Sequence, residues 1–317
     1  MLQNFSHYLT YQILGIKNAL LAESVNFFIA DSIKIIALLI IITQLMSLVR
    51  YYLPIQKLKN FLTSKKLYGL DYFLAAIFGA ITPFCTCSSI PIFIGFLQAQ
   101  IPLGVTFAFL ITSPLVNEVA VIMLFGIFGL KVAIIYAAAG ILIGVIGGYL
   151  LGRLKMEKYV AAYISQPKNQ PENITKENLK FKKVLVITSA EAFGIIKQVV
   201  PYLLIGIALG AAIHGFVPQG FFEKYITKQN IFAVPLAVIF GVPLYSNATG
   251  VIPIIQALVA KGIPLGTALA FMMATVGLSL PEALILKKVI KLPLLLAFFG
   301  LVSGGIILLG YFFNFIF

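Results

Sequence analysis

Charge is what this sequence lacks most. Only 10% of its 317 residues are Asp, Glu, Lys or Arg, whereas 61% are hydrophobic and the mean hydropathy is +1.04. An ordinary soluble domain carries about a quarter charged residues, so a water-facing surface cannot be assembled from this chain. Cysteine is scarcer still. Cys85 and Cys87 are the only two, and they sit too close together for usual disulfide geometry, which removes a disulfide-framed secreted domain. Also missing are a Gly-rich phosphate loop with its Lys and Ser or Thr, an H-E-x-x-H and a G-x-S-x-G, which argues against a nucleotide-driven pump and the hydrolases those motifs mark. The expectation is a protein that is not an enzyme, with no cofactor and no resident metal.

What is present is a series of long apolar runs. Each ~20-residue run can cross the ~30 Å hydrocarbon core of a bilayer as a helix, and roughly eight fit. The reading is an all-α integral membrane protein of about eight transmembrane segments. The formal charge of +13 does not point to nucleic acid, because the Lys and Arg residues fill gaps between apolar runs rather than one face of a domain. The expected partners are the lipid bilayer and a small-molecule substrate. The first twenty residues mix Gln3, Asn4, Ser6, His7 and Gln12 among apolar ones, and the first basic residue is Lys17. That pattern reads as an interfacial amphipathic helix over residues 1–24 rather than a cleaved signal peptide.

Plain helical runs are expected over about 25–50, 103–128, 131–152, 186–214, 264–286 and 293–315. Residues 70–98 and 231–260 are equally apolar but are interrupted by GAITPFCTCSSIP and GVPLYSNATGVIP, so each is expected to break in the middle. Shifted by 162 positions, the two interrupted stretches align without a gap. Ile77, Phe78 and Gly79 fall on Ile239, Phe240 and Gly241, and Ile101, Pro102, Leu103 and Gly104 on Ile263, Pro264, Leu265 and Gly266. The chain is therefore read as a duplication, with a first membrane repeat at 25–153, a polar linker at 154–185 and a second repeat at 186–317.

Basic residues orient short loops toward the cytoplasm. Sixteen of the 23 fall after the first run, in the linker and at Lys287, Lys288 and Lys291, which predicts the cytoplasmic face of the cell membrane for all three. Residues 70–152 then begin and end inside, so they cross an even number of times. That holds if the interrupted stretch is a re-entrant hairpin or two short spans. The same count for the second half gives the opposite sense, and so two inverted repeats, the plan of many secondary transporters.

Breaks free backbone N–H and C=O groups that hydrocarbon does not tolerate, so the two are expected to face each other near the midplane. Ser88 and Ser89 before Pro91, and Asn247 and Thr249 before Pro253, read as helix starts whose N–H groups favour an anionic or electron-rich ligand. Cys85 and Cys87 occur in one half only, where the other has Asn247 and Thr249. Two thiols could hold a soft centre such as a trivalent metalloid, cycle with a redox carrier, or simply pack as small apolar groups. Among charged residues inside runs, costly by default, Glu118 is the deepest and is the candidate for proton coupling. Asp31 with Lys34, and Glu191 with Lys197, read as structural, His214 as interfacial, and Glu282 is left open.

The strings TPFCTCSSIPIFIGF at 82–96 and IPLGVTFAFLITSPLVNEVAV at 101–121 resemble the signature of the ArsP-type predicted permease family. GVPLYSNATGVIPI and KGIPLGTALAFM in the second half are also similar to that family, so the resemblance covers most of 70–290. It implies an eight-span permease. Some members export trivalent organoarsenicals such as methylarsenite, which implies Cys85 and Cys87 as candidate ligands, with Ser88, Ser89, Asn247 and Thr249 beside them. The alternatives are a permease for another small sulfur compound or anion, and a thiol-redox membrane protein.

Overall fold

The computed structural model describes residues 6–8, 10, 19–52, 69–82, 86–161, 181–216, 231–244, 248–260 and 262–317. Among these its regular structure is helical, with short connections and one isolated antiparallel bridge between Val160 and Ile290. The first half holds α1 (Ala19–Tyr52), α2 (Leu70–Ile81), α3 (Thr86–Gln98), α4 (Leu103–Leu115), α5 (Glu118–Phe128) and α6 (Leu130–Arg153). The second holds α7 (Phe181–Phe216), α8 (Ala233–Gly241), α9 (Ala248–Ala260), α10 (Leu265–Gly277), α11 (Leu280–Val289) and α12 (Leu292–Ile316).

Each helix of the first half recurs six places later. Thr86 and Gln98 bound α3, and Ala248 and Ala260, each 162 residues on, bound α9; Leu103 and Leu115 bound α4, and Leu265 and Gly277 bound α10 at the same offset. The remaining bounds agree within two residues. Helix α1 begins at Ala19, inside the segment expected to be interfacial, and its 34 residues measure about 51 Å. Among the described residues, three helices are long and apolar enough to cross a bilayer alone: Ser24–Ile41 within α1, α6 and α12. The expected interruptions in 70–98 and 231–260 separate α2 from α3 and α8 from α9. At 13 residues, α3 and α9 extend only about 20 Å each.

The runs at 103–128 and 264–286, expected to be continuous, are not. Helices α4 and α5 meet at a 42° bend, and α10 and α11 at 46°. The first bend has a local cause. Pro114 sits near the end of α4 and removes a ladder donor, and Asn117 restarts the chain by accepting the Val119 N–H at 2.8 Å. In the second, Leu278 leaves helical geometry at φ −139°, and α11 restarts from extended Ser279 with Pro281 in its first turn.

Small residues let these helices touch at the backbone, as lipid-embedded packing requires. A side chain at Gly104 would meet the Gly148 carbonyl at 2.5 Å and the Gly152 Cα at 2.8 Å; one at Gly144 would meet Thr112, and one at Gly140 would meet Val116. Glycines every four residues along α6 thus form the groove that receives α4. The equivalent crossing recurs in the second half, where Gly266 lies against Gly310 and Asn314. There Asn314 accepts the Thr267 N–H at 3.1 Å and donates to its hydroxyl at 3.0 Å.

Between halves, equivalent helices pair with each other: α1 with α7, α4 with α10 and α6 with α12. Cross-pairs also exchange, since α9 packs on α5 as α3 packs on α11. A side chain at Gly305 would touch Ile143, its own equivalent, while one at Gly147 would touch Leu301. Numbers rise along α6 as they fall along α12, so the two helices run antiparallel.

Candidate functional site

The first breaks carry most of the residues singled out from sequence. Cys85 and Asn247 lie outside the described residues, as do the side chains of Cys87, Ser88 and Thr249. Their helices are placed. Helix α3 starts at Thr86, earlier than Ser88 and Ser89 suggest, so Cys87, Ser88 and Ser89 occupy its first turn and Pro91 its sixth position. Helix α9 starts at Ala248 with Thr249 second and Pro253 sixth. Neither proline can donate to the carbonyl four residues back, which excludes the carbonyls of Cys87 and Thr249 from their helical ladders. Each helix therefore begins with N–H groups that have no intrahelical acceptor and, in its first turn, a carbonyl that lacks its ladder donor. Ser89 is wholly buried.

The second breaks carry the carboxyls. Glu118 is the first residue of α5, and its Oε2 is buried with no hydrogen-bond partner among the described residues. Glu282 occupies the first turn of α11 at 1% exposure, and neither of its oxygens is partnered. From sequence the role of Glu282 is open, although Ser279-Leu280-Pro281-Glu282 has the S-x-x-E spacing of a capping box. The box is not closed, because Ser279 makes no capping bond and Glu282 does not reach back. Lys34 and Lys197 are exposed, whereas the side chains of Asp31, Glu191 and His214 lie outside the described residues.

The breaks are brought together. In the second half, the Leu280 N–H donates to the Val242 carbonyl at 3.1 Å, tying the start of α11 to the end of α8. Between halves, Gly277 at the end of α10 faces Leu115 at the end of α4. These two positions are equivalents, so the second breaks meet across the interface. Tyr136, fully buried, donates to the Leu115 carbonyl at 2.8 Å and holds the last turn of α4 beside that contact. No group of three His, Cys, Asp or Glu side chains converges among the described residues.

From residue 20 to residue 315 the sequence matches the ArsP_1 family, described as a predicted permease. It is similar to UPF0718 protein MJ0584 of Methanocaldococcus jannaschii, at 23% identity with 74% of this chain and 79% of that protein covered. It is also similar to UPF0718 protein YcgR of Bacillus subtilis, at 33% identity over 79 residues, 25% of this chain and 27% of that protein. No solved structure matches. The family match and the apolar helices together make this a multi-pass membrane protein. Because the match runs from the first turn of α1 to the last turn of α12 and takes in both halves with all four breaks, the chain belongs to the ArsP_1 family of predicted permeases.

Proposed function

We propose that the protein is a secondary transporter that exports a small thiophilic solute, a trivalent organoarsenical, through a site between the paired breaks. The observation that carries the reading is the meeting of equivalent broken helices at Leu115 and Gly277. Irregular backbone at membrane depth is tolerated where it is enclosed by protein or lines a cavity, and inverted repeats with broken helices are a recurring transporter plan. The antiparallel course of α6 and α12, with Ile143 against Gly305, supports inversion and about eight segments, each broken pair α2–α3 and α8–α9 entering and returning.

In this reading Cys85 and Cys87 contact the arsenic as soft ligands. Ser88, Ser89, Asn247 and Thr249 supply hydrogen bonds at the starts of α3 and α9, and Glu118 couples movement to protons. The linker lies on the cytoplasmic side of the cell membrane. Support for that side comes from the basic loops, since the Lys291 N–H donates to the Tyr159 carbonyl at 2.7 Å and Val160 pairs with Ile290. One face thus collects Arg153, Lys155, Lys158, Lys287, Lys288 and Lys291.

The test is methylarsenite uptake into everted vesicles, where export appears as accumulation, for the wild type, Cys85→Ser, Cys87→Ser and the double variant. The expected result is gradient-driven uptake by the wild type, reduced at least about tenfold in the double variant. Absence of uptake by the wild type removes the arsenical. Inhibition studies with sulfur oxyanions and small thiols would then identify a sulfur compound or anion as the solute. Cys85 and Cys87 changing state on oxidant treatment, without transport, would favour the redox alternative.

A further inference from the structure

Resting on the transporter reading, we infer that Glu282 is a proton-carrying group of the transport cycle, placed where the second half breaks. Its surroundings explain why a helix-capping role is not available. The S-x-x-E spacing would ordinarily let Glu282 accept the backbone N–H at Ser279, yet both carboxyl oxygens are buried without a partner among the described residues and Ser279 makes no cap. At 1% exposure, an ionised carboxylate in that position would be held away from bulk water with no hydrogen-bond partner among the described residues. Among the described residues, the helices that pack most extensively on α11 are α3, α7 and α12. Helices α3 and α12 contain no Asp, Glu, Lys, Arg or His, their titratable side chains being Cys87 and Tyr311. Helix α7 carries Lys182, Lys183, Glu191, Lys197, Tyr202 and His214, of which Lys197 is exposed. On α11 itself, Lys287 and Lys288 are exposed.

A metal ion fits this place poorly. Hard cations require several oxygen ligands, and no cluster of three ligand-type side chains converges among the described residues. A proton needs one oxygen. The position also suits release. Glu282 follows the 46° bend between α10 and α11 and lies two residues beyond the Leu280–Val242 hydrogen bond, so a change in that bend moves the carboxyl relative to the first break. Helix α11 in turn packs on α3, whose first turn carries Cys87, Ser88 and Ser89. Opening toward one side lets water take the proton from the carboxyl O–H, and opening toward the other lets water return one. No other bond changes.

The experiment compares the full-length wild type with Glu282→Gln and Glu282→Asp in liposomes. Gln keeps the size of the protonated acid but cannot release a proton. With methylarsenite as probe, Glu282→Gln should lose accumulation driven by a pH gradient at least about tenfold, while exchange between labelled and unlabelled pools, which moves no net proton, falls much less. Glu282→Asp should restore part of the driven uptake. Infrared difference spectra across a pH step provide a readout independent of substrate: a carboxyl C=O band should be present in the wild type and absent in Glu282→Gln. The inference is overturned if Glu282→Gln accumulates methylarsenite under a pH gradient as the wild type does, or if its infrared band is unchanged from the wild type. If the wild type moves no methylarsenite, the substrate assignment fails and the infrared comparison alone decides Glu282.

Discussion

At the scale of single residues, the molecule is governed by how near two backbones can come. Glycine at 104 is required because anything larger meets the Gly148 carbonyl and the Gly152 Cα, which are main-chain atoms without a rotamer to change. Overpacking of a core typically costs about 1–3 kcal/mol, and a β-branched side chain forced against two main-chain segments belongs at or above the upper end. Gly104→Val and Gly266→Val should therefore lower the unfolding temperature in detergent sharply, whereas Gly126→Ala, with open space around it, should leave it nearly unchanged. Equal effects at all three positions would contradict the close-contact account. Polar contacts are smaller in scale. Tyr136→Phe removes the donor to the Leu115 carbonyl, and interhelical hydrogen bonds in membranes average about 0.6 kcal/mol, reaching about 1.7. A thermal or denaturant series should register a loss within that range, with no change of fold.

At the scale of elements, the breaks differ in how visible they are in the sequence. Those after α2 and α8 were legible, because Pro83, or Pro243 with Ser246 and Asn247, interrupts an apolar run, and small polar residues, Thr86 and Ser88 or Thr249, then mark a helix start. Those after α4 and α10 were not. Thr112 to Glu118 and Thr275 to Glu282 remain apolar enough to continue a span by hydropathy, and only Pro114 with Asn117, or Ser279 with Pro281, betrays a restart. Hydropathy also names no packing partner, so the meeting of Leu115 with Gly277 and the burial of Glu282 required three dimensions. That meeting can be tested by compensation. A side chain at Gly277 would press on Leu115 Cδ2 at 2.6 Å, the end of a flexible group that a methyl can displace but a larger chain cannot. Gly277→Ala should be tolerated and Gly277→Leu should destabilise, while adding Leu115→Ala should recover part of the loss. Simple additivity in that double-mutant cycle would show that the two positions are not coupled.

At the scale of the whole molecule, the question is the direction in which the two halves face, and the duplication alone does not answer it. Parallel repeats would put equivalent loops on one side of the bilayer, and inverted repeats would put them on opposite sides. The loop at Gly129 to Lys131 and the loop at Lys291 to Pro293 are equivalents at the 162-residue offset. Their contacts diverge. Lys131 lies over the ring of Phe317 at 5.2 Å, beside the end of α12, whereas Lys291 hydrogen-bonds to Tyr159 just after α6. Since α6 and α12 run antiparallel past Ile143 and Gly305, those two neighbourhoods belong at opposite ends of the bundle. Single cysteines at Lys131, Phe317, Lys158 and Lys291, placed in a Cys85→Ser, Cys87→Ser background and all exposed, can be labelled with a membrane-impermeant maleimide in intact cells and in everted vesicles. Positions 131 and 317 should react in cells, and positions 158 and 291 only after eversion. Reaction of 131 and 291 from the same side would rule out inversion and require parallel halves, removing the in-plane axis that the proposed transport cycle between the paired breaks requires.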